Sequence, residues 1–96
     1  MKPFWTYMVL CGDGTYYVGH TDNLERRIAE HNEGVVPGYT RKRKPVTLVW
    51  AGEFPTRIDA LEREMQIKGW SRKKKESLIR GDWDRLCDSA KKRFNR

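Results

Sequence analysis

Phe4-Trp5-Thr6-Tyr7-Met8-Val9-Leu10-Cys11-Gly12-Asp13-Gly14-Thr15-Tyr16-Tyr17-Val18-Gly19 reads as two β-strands closed by a short turn. Aromatic and β-branched residues fill both arms, and Gly12-Asp13-Gly14 supplies the turn chemistry of a three-residue hairpin loop. Such a loop sets Cys11 opposite Thr15, Val9 opposite Tyr17 and Tyr7 opposite Gly19. Cross-strand partners share a sheet face, as do alternate residues, so Tyr7, Val9, Tyr17 and Gly19 make one patch. Gly19 has no side chain, which predicts open space beside the Tyr7 ring for a backbone or ligand. The first chemical feature of the chain is therefore a pair of phenols on one face.

Outward from the hairpin, Asp22 with Glu25 three positions later predicts a capping-box start. Leu24 and Ile28 give the apolar stripe of a first helix running to about Glu33, with Gly34 as its stop. The stretch 34–45 reads as a loop, and Val46, Leu48 and Trp50 alternating with Thr47, Val49 and Ala51 as a third strand. Thr56, behind Pro55 and ahead of Asp59, caps a second helix to about Lys68 before Gly69. Ser71 begins a third helix through Ile79 to Gly81. Trp83, Leu86, Cys87, Ala90 and Phe94 recur at helical spacing and predict a fourth after Asp82. The order strand, strand, helix, strand, helix, helix has too few βαβ units for a doubly wound sheet. It fits an α+β fold with a small antiparallel sheet flanked by helices. Ninety-six residues make one domain, with 1–81 as its body and 82–96 as a helical extension.

Twenty Lys and Arg against thirteen Asp and Glu leave a net charge of +7, which favours a polyanionic partner. A basic surface of this size also serves simple solubility, so the arrangement of residues must decide. Two cysteines, Cys11 and Cys87, without a secretory leader predict reduced thiols in a cytoplasmic protein, and no membrane-spanning stretch is present in the sequence.

Counting 100° per residue from Leu24 puts Ile28 at about 40°, His31 at about 340°, Arg27 at about 300° and Arg26 at about 200°. Arg27 and His31 then edge the buried face while Arg26 points to water. Arg27 either lays its stem along the sheet rim or serves chemistry, and His31 either finishes a helix C-terminus or does the same. On the second helix Ile58, Ala60, Leu61, Met65 and Ile67 read as an apolar stripe with Glu64 inside it and Glu62 outside. A carboxylate in such company needs a cation, a metal or a donor. Lys68, one turn on, offers an ordinary ion pair, which helix geometry alone slightly favours; one carboxylate is nevertheless a suitable ligand count for Mg²⁺. The runs Arg41-Lys42-Arg43-Lys44 and Arg72-Lys73-Lys74-Lys75, with Tyr39, Trp50 and Trp70 nearby, could meet phosphates and bases, although core packing is the plainer role for Trp50.

Tyr7, the triplet Tyr17-Val18-Gly19, Arg27 in Asn23-Leu24-Glu25-Arg26-Arg27, and Glu64 together resemble the GIY-YIG nuclease superfamily. The likeness is nearest to its small stand-alone bacterial members and covers roughly residues 4–80. It implies a metal-dependent endonuclease that cleaves phosphodiesters with Mg²⁺ or Mn²⁺. In that resemblance Tyr7 is the general base or water-orienting group, Tyr17 contacts the phosphate or its water, Arg27 stabilises phosphate charge, His31 assists, and Glu64 holds the metal. Gly19, Tyr39, Arg41, Lys42, Arg43, Lys44, Lys68, Arg72, Lys73 and Lys74 are the expected nucleic-acid contacts. The first triplet, Trp5-Thr6-Tyr7, keeps only the tyrosine of the family motif, and none of Asn23, Asn32 and Asn95 stands where many members carry an asparagine. The expected substrate is DNA, single-stranded, branched or duplex, with RNA as a second possibility, in repair, recombination or DNA processing. A monomer or weak dimer that avoids membranes is expected. A binding module that uses the same basic face without cleaving, and an adaptor acting through Trp83 to Phe94, are the competing readings.

Overall fold

The computed structural model describes residues 2–36 and 38–81. The elements are β1 (Phe4–Leu10), β2 (Tyr16–Thr21), α1 (Leu24–Glu33), β3 (Thr47–Phe54), α2 (Arg57–Lys68) and α3 (Arg72–Ile79). This is the expected α+β order. The helix expected over 82–96, and with it the extension of the domain, lies outside the described residues.

The sheet is antiparallel, in the order β2-β1-β3. The hairpin has the predicted register, with Val9 opposite Tyr17 and Tyr7 opposite Gly19. The Cys11 N–H donates to the Thr15 carbonyl at 2.8 Å and closes the turn. Asp13 shapes that turn by accepting from the Thr15 backbone and hydroxyl at 3.1 and 2.6 Å. β3 pairs along the other edge of β1, with an irregularity between Met8 and Val9.

Strand alternation sends Tyr7, Val9 and Cys11 to one face, where Val46 and the α1 residues Leu24 and Ile28 cover them. Met8 and Val18 face the other way, against Ile67 of α2 and Leu78 of α3. The sheet is thus a middle layer with a separate apolar cluster on each side.

Both long helices are capped by side chains. Asn23, not the expected Asp22, caps α1: its Oδ1 accepts from the Arg26 N–H at 3.1 Å, and Gly34 ends the helix at φ 77°. Asparagine at this position accepts from N3 as aspartate would, so the start moves by one residue. Thr56 and Ser71 cap α2 and α3 as predicted, accepting from Asp59 and Lys74.

The α2 stripe is a correction. Its buried residues are Ala60, Glu64 and Ile67, whereas Ile58, Leu61 and Met65 are exposed. The five apolar residues occupy two arcs of the helix, and the arc that holds the carboxylate is the one that packs on β1 and β2.

Candidate active site

Tyr7 and Tyr17 lie on the α1 face with ring centroids 6.5 Å apart. The space expected in front of Gly19 is filled by Tyr7 itself: a Cβ built there would lie 2.6 Å from the phenol oxygen. Glycine is therefore what lets the Tyr7 hydroxyl cross the neighbouring strand.

The hydroxyl ends at His31. Tyr7 Oη and His31 Nε2 are 2.8 Å apart, and the opposite ring nitrogen, Nδ1, is 2.6 Å from Thr40 Oγ1. His31 is 1% exposed, so it lies within the core rather than at its edge. Burial, then the Arg27 charge, hold its pKa below the ordinary value, so the ring is neutral at pH 7. Burial first, and then Tyr17, push the Tyr7 phenol well above its usual range, an effect Arg27 opposes and Glu64 reinforces. A standing phenolate is thereby disfavoured.

Tyr39 and Arg43 of the loop form the roof. Tyr39 stacks on Tyr17 with centroids 5.8 Å apart, and the Arg43 guanidinium sits 4.0 Å from the centre of the Tyr39 ring. Arg43 also donates to Asp13 at 2.9 Å and to the Tyr39 carbonyl at 2.8 Å, tying the loop to the hairpin turn. Asn32 grips the far end of the loop through the Val46 N–H and carbonyl, at 2.7 and 3.2 Å.

Glu64 approaches from the α2 side and is only 8% exposed. Its two oxygens take separate partners: Oε1 lies 2.6 Å from His20 Nδ1 and Oε2 lies 2.7 Å from Lys68 Nζ. Burial raises its pKa, but the bonds from Lys68 and His20 outweigh that and hold the carboxyl below its usual range. The Lys68 ammonium also stands 5.7 Å from the Tyr17 ring centre, which joins the two sides of the sheet around the β2 edge. Arg27 shares a cavity of about 210 Å³ with His20, Thr21, Asp22, Phe4 and Arg57, and lies 3.8 Å from Glu30.

Tyr7, Tyr17, His31 and Glu64 are thus gathered at one edge, with Arg27 in the adjoining hollow. The basic residues divide differently. Arg41, Lys42 and Lys44 are exposed on the loop, and Gly19 lies in β2 against the Tyr7 ring. Arg72 is spent on Glu76, the Tyr16 ring and the Gly14 carbonyl, and Lys74 lies over Trp70. Lys73 is exposed at the start of α3.

Two residues escaped sequence reasoning. His20 follows Val18 by two, so strand parity already aims it at the face of α2 where Glu64 sits. Thr40 lies in an irregular loop, where no period marks an inward side chain.

A hairpin bearing two tyrosines, a helix bearing arginine and histidine, and a second helix bearing one buried carboxylate are the features on which the likeness to the GIY-YIG class rests. The family model of the GIY-YIG catalytic domain matches residues 3–77. The chain belongs to that family, within its UPF0213 proteins. It is 49% identical over 73 residues to the UPF0213 protein VNG_2274C of Halobacterium salinarum, covering 76% of this chain and 95% of the relative. With the UPF0213 protein SSP2268 of Staphylococcus saprophyticus it shares 44% over 79 residues, or 82% and 96% of the two chains. The solution structure of the UPF0213 protein BH0048 of Bacillus halodurans matches with TM-score 0.52 at 39% identity, over 80% of this chain and 82% of that one. The protein EF2693 of E. faecalis matches with TM-score 0.58 at 38% identity, over 84% and 86%. The domain implies nuclease-type chemistry on a nucleic acid, and nucleases of this class generally use a divalent metal. Among the described residues, no helix is long and apolar enough to cross a membrane.

Proposed function

We propose that this protein is a metal-dependent endonuclease that hydrolyses phosphodiester bonds in DNA, with preference for single-stranded or branched substrates. The 2.8 Å contact between Tyr7 and His31, beside Tyr17, carries the reading. A neutral histidine against a buried phenol is a proton relay: Tyr7 takes a proton from the attacking water as its own passes to His31 Nε2. No phenolate has to stand in advance, which suits the raised Tyr7 pKa. The Tyr17 hydroxyl orients the phosphate, and Arg27 meets the charge that grows on its oxygens.

Glu64 fits a divalent cation: it is ionised, largely buried and a single carboxylate, as Mg²⁺ or Mn²⁺ bound together with substrate phosphate requires. Held by Glu64, such a cation would neutralise phosphate charge and polarise its water. Lys68 and His20 compete with it for the carboxylate and hold Glu64 in place. Tyr39, stacked on Tyr17, serves with Arg41, Lys42, Arg43, Lys44, Lys73 and Lys74 as contacts for strand and bases.

Glu64→Gln and Tyr7→Phe should each cut the cleavage rate of single-stranded, forked and duplex oligonucleotides, in Mg²⁺ or Mn²⁺, by about 100-fold or more. Rates equal to the parent's would overturn the assignment. The exposed loop cations favour the second reading, a binding module without cleavage. That reading requires steeply salt-sensitive binding with intact substrate at high protein concentration.

A further inference from the structure

Thr40 is 1% exposed, sits nine residues beyond His31 in an irregular loop, and places its hydroxyl 2.6 Å from the ring nitrogen that faces away from Tyr7. We propose that Thr40 is a positioning residue, whose hydroxyl accepts from His31 Nδ1–H and so turns the bare Nε2 lone pair toward the Tyr7 phenol. The consequence for catalysis rests on the nuclease reading; the tautomer itself does not.

A neutral imidazole carries one N–H and one lone pair, and the partner at one nitrogen decides what the other can do. With Nδ1–H given to Thr40, Nε2 accepts from Tyr7 and the phenol proton has a place to go. The reverse tautomer would aim Nε2–H at the phenol oxygen, and Tyr7 could not pass its proton to that nitrogen. Anchoring both nitrogens also fixes ring rotation, because a turned ring would lose two bonds in a dry interior.

The loop delivers Thr40 through a stiff local frame. Its carbonyl accepts from the Arg43 N–H at 3.0 Å, and the Arg41 N–H donates to the Gly38 carbonyl at 3.2 Å. The Gly12 N–H donates to the Arg43 carbonyl at 2.6 Å, binding the frame to the hairpin turn. Tyr39, the preceding residue, turns outward onto Tyr17 while Thr40 turns inward, so one dipeptide touches both tyrosine systems. The inner partner is a hydroxyl, so valine, of nearly equal size, deletes the bond while filling the space.

The test is long-range proton–nitrogen NMR of the full-length protein, with His31 assigned by its loss in His31→Gln. The wild-type ring should show an N–H-type nitrogen at δ1 and a lone-pair-type nitrogen at ε2. Thr40→Val should lose that pattern, and Thr40→Ser should keep it. In cleavage, Thr40→Val should lower kcat about tenfold with KM nearly unchanged, and Thr40→Ser should restore it. An Nε2–H wild-type ring overturns the proposal whether or not Thr40→Val folds, as does a wild-type pattern in folded Thr40→Val. If the tautomer is as stated and no variant or parent cleaves, the nuclease reading fails while the Thr40 assignment stands.

Discussion

At the scale of single residues, the site depends on what is missing as much as on what reacts. Gly19→Ala would set a methyl 2.6 Å from the Tyr7 oxygen, and that oxygen is pinned by His31, so the ring cannot simply turn away. A loss of about 1 to 3 kcal/mol in denaturant unfolding is expected, with a larger fall in cleavage than Val9→Ala causes for equal destabilisation. His31 adds a pH signature. Its folded pKa lies below the ordinary 6.5, so the unfolded chain binds the proton first. Stability should therefore be full above about pH 6.5 and fall as the pH drops through the folded value, and His31→Gln should flatten that slope in urea titrations across pH 4.5 to 8. The Glu64 carboxyl, depressed in the fold, adds a second loss only below about pH 4.5. Strand parity made Tyr7 and Tyr17 readable from the chain alone, and the same parity held for His20, which the sequence reading passed over. Thr40 was not readable, because its inward turn is set by hydrogen bonds of an irregular loop, which no periodicity of the sequence marks.

At the scale of elements, α2 shows both the reach and the limit of helical periodicity. Its cap and its end were legible from Thr56, Asp59 and Gly69, but two apolar arcs read as one because hydropathy does not say which arc meets the sheet. Only the packing of Ala60, Glu64 and Ile67 decides it. Ile67→Ala should cost about 2 to 5 kcal/mol, while Met65→Gln on the exposed arc should stay within about 0.5 kcal/mol, as chemical denaturation would show. The Glu64–Lys68 pair on the same helix makes a different prediction. Lys68 occupies one carboxylate oxygen, so Lys68→Met should tighten Mn²⁺ binding up to about fivefold by calorimetry, and Lys74→Met should leave it unchanged.

At the scale of the whole molecule, net charge and fold class were fully visible in composition and element order, whereas the meeting of two sheet faces at the β2 edge was not. Edge position depends on where β3 pairs, and β3 chooses the far side of β1. That choice leaves β2 unpaired on its outer side, while Arg41, Lys42 and Lys44 stand exposed on the loop. Binding of Glu64→Gln to a single-stranded oligonucleotide should weaken linearly in log salt, and replacing those three cations with alanine should flatten the slope by about two units. The reaction edge also draws on both apolar clusters at once, tyrosines from one and the carboxylate's helix from the other. Damage deep in either half should therefore silence the proposed cleavage before it melts the fold, so thermal loss of cleavage should run ahead of thermal unfolding whichever half is weakened.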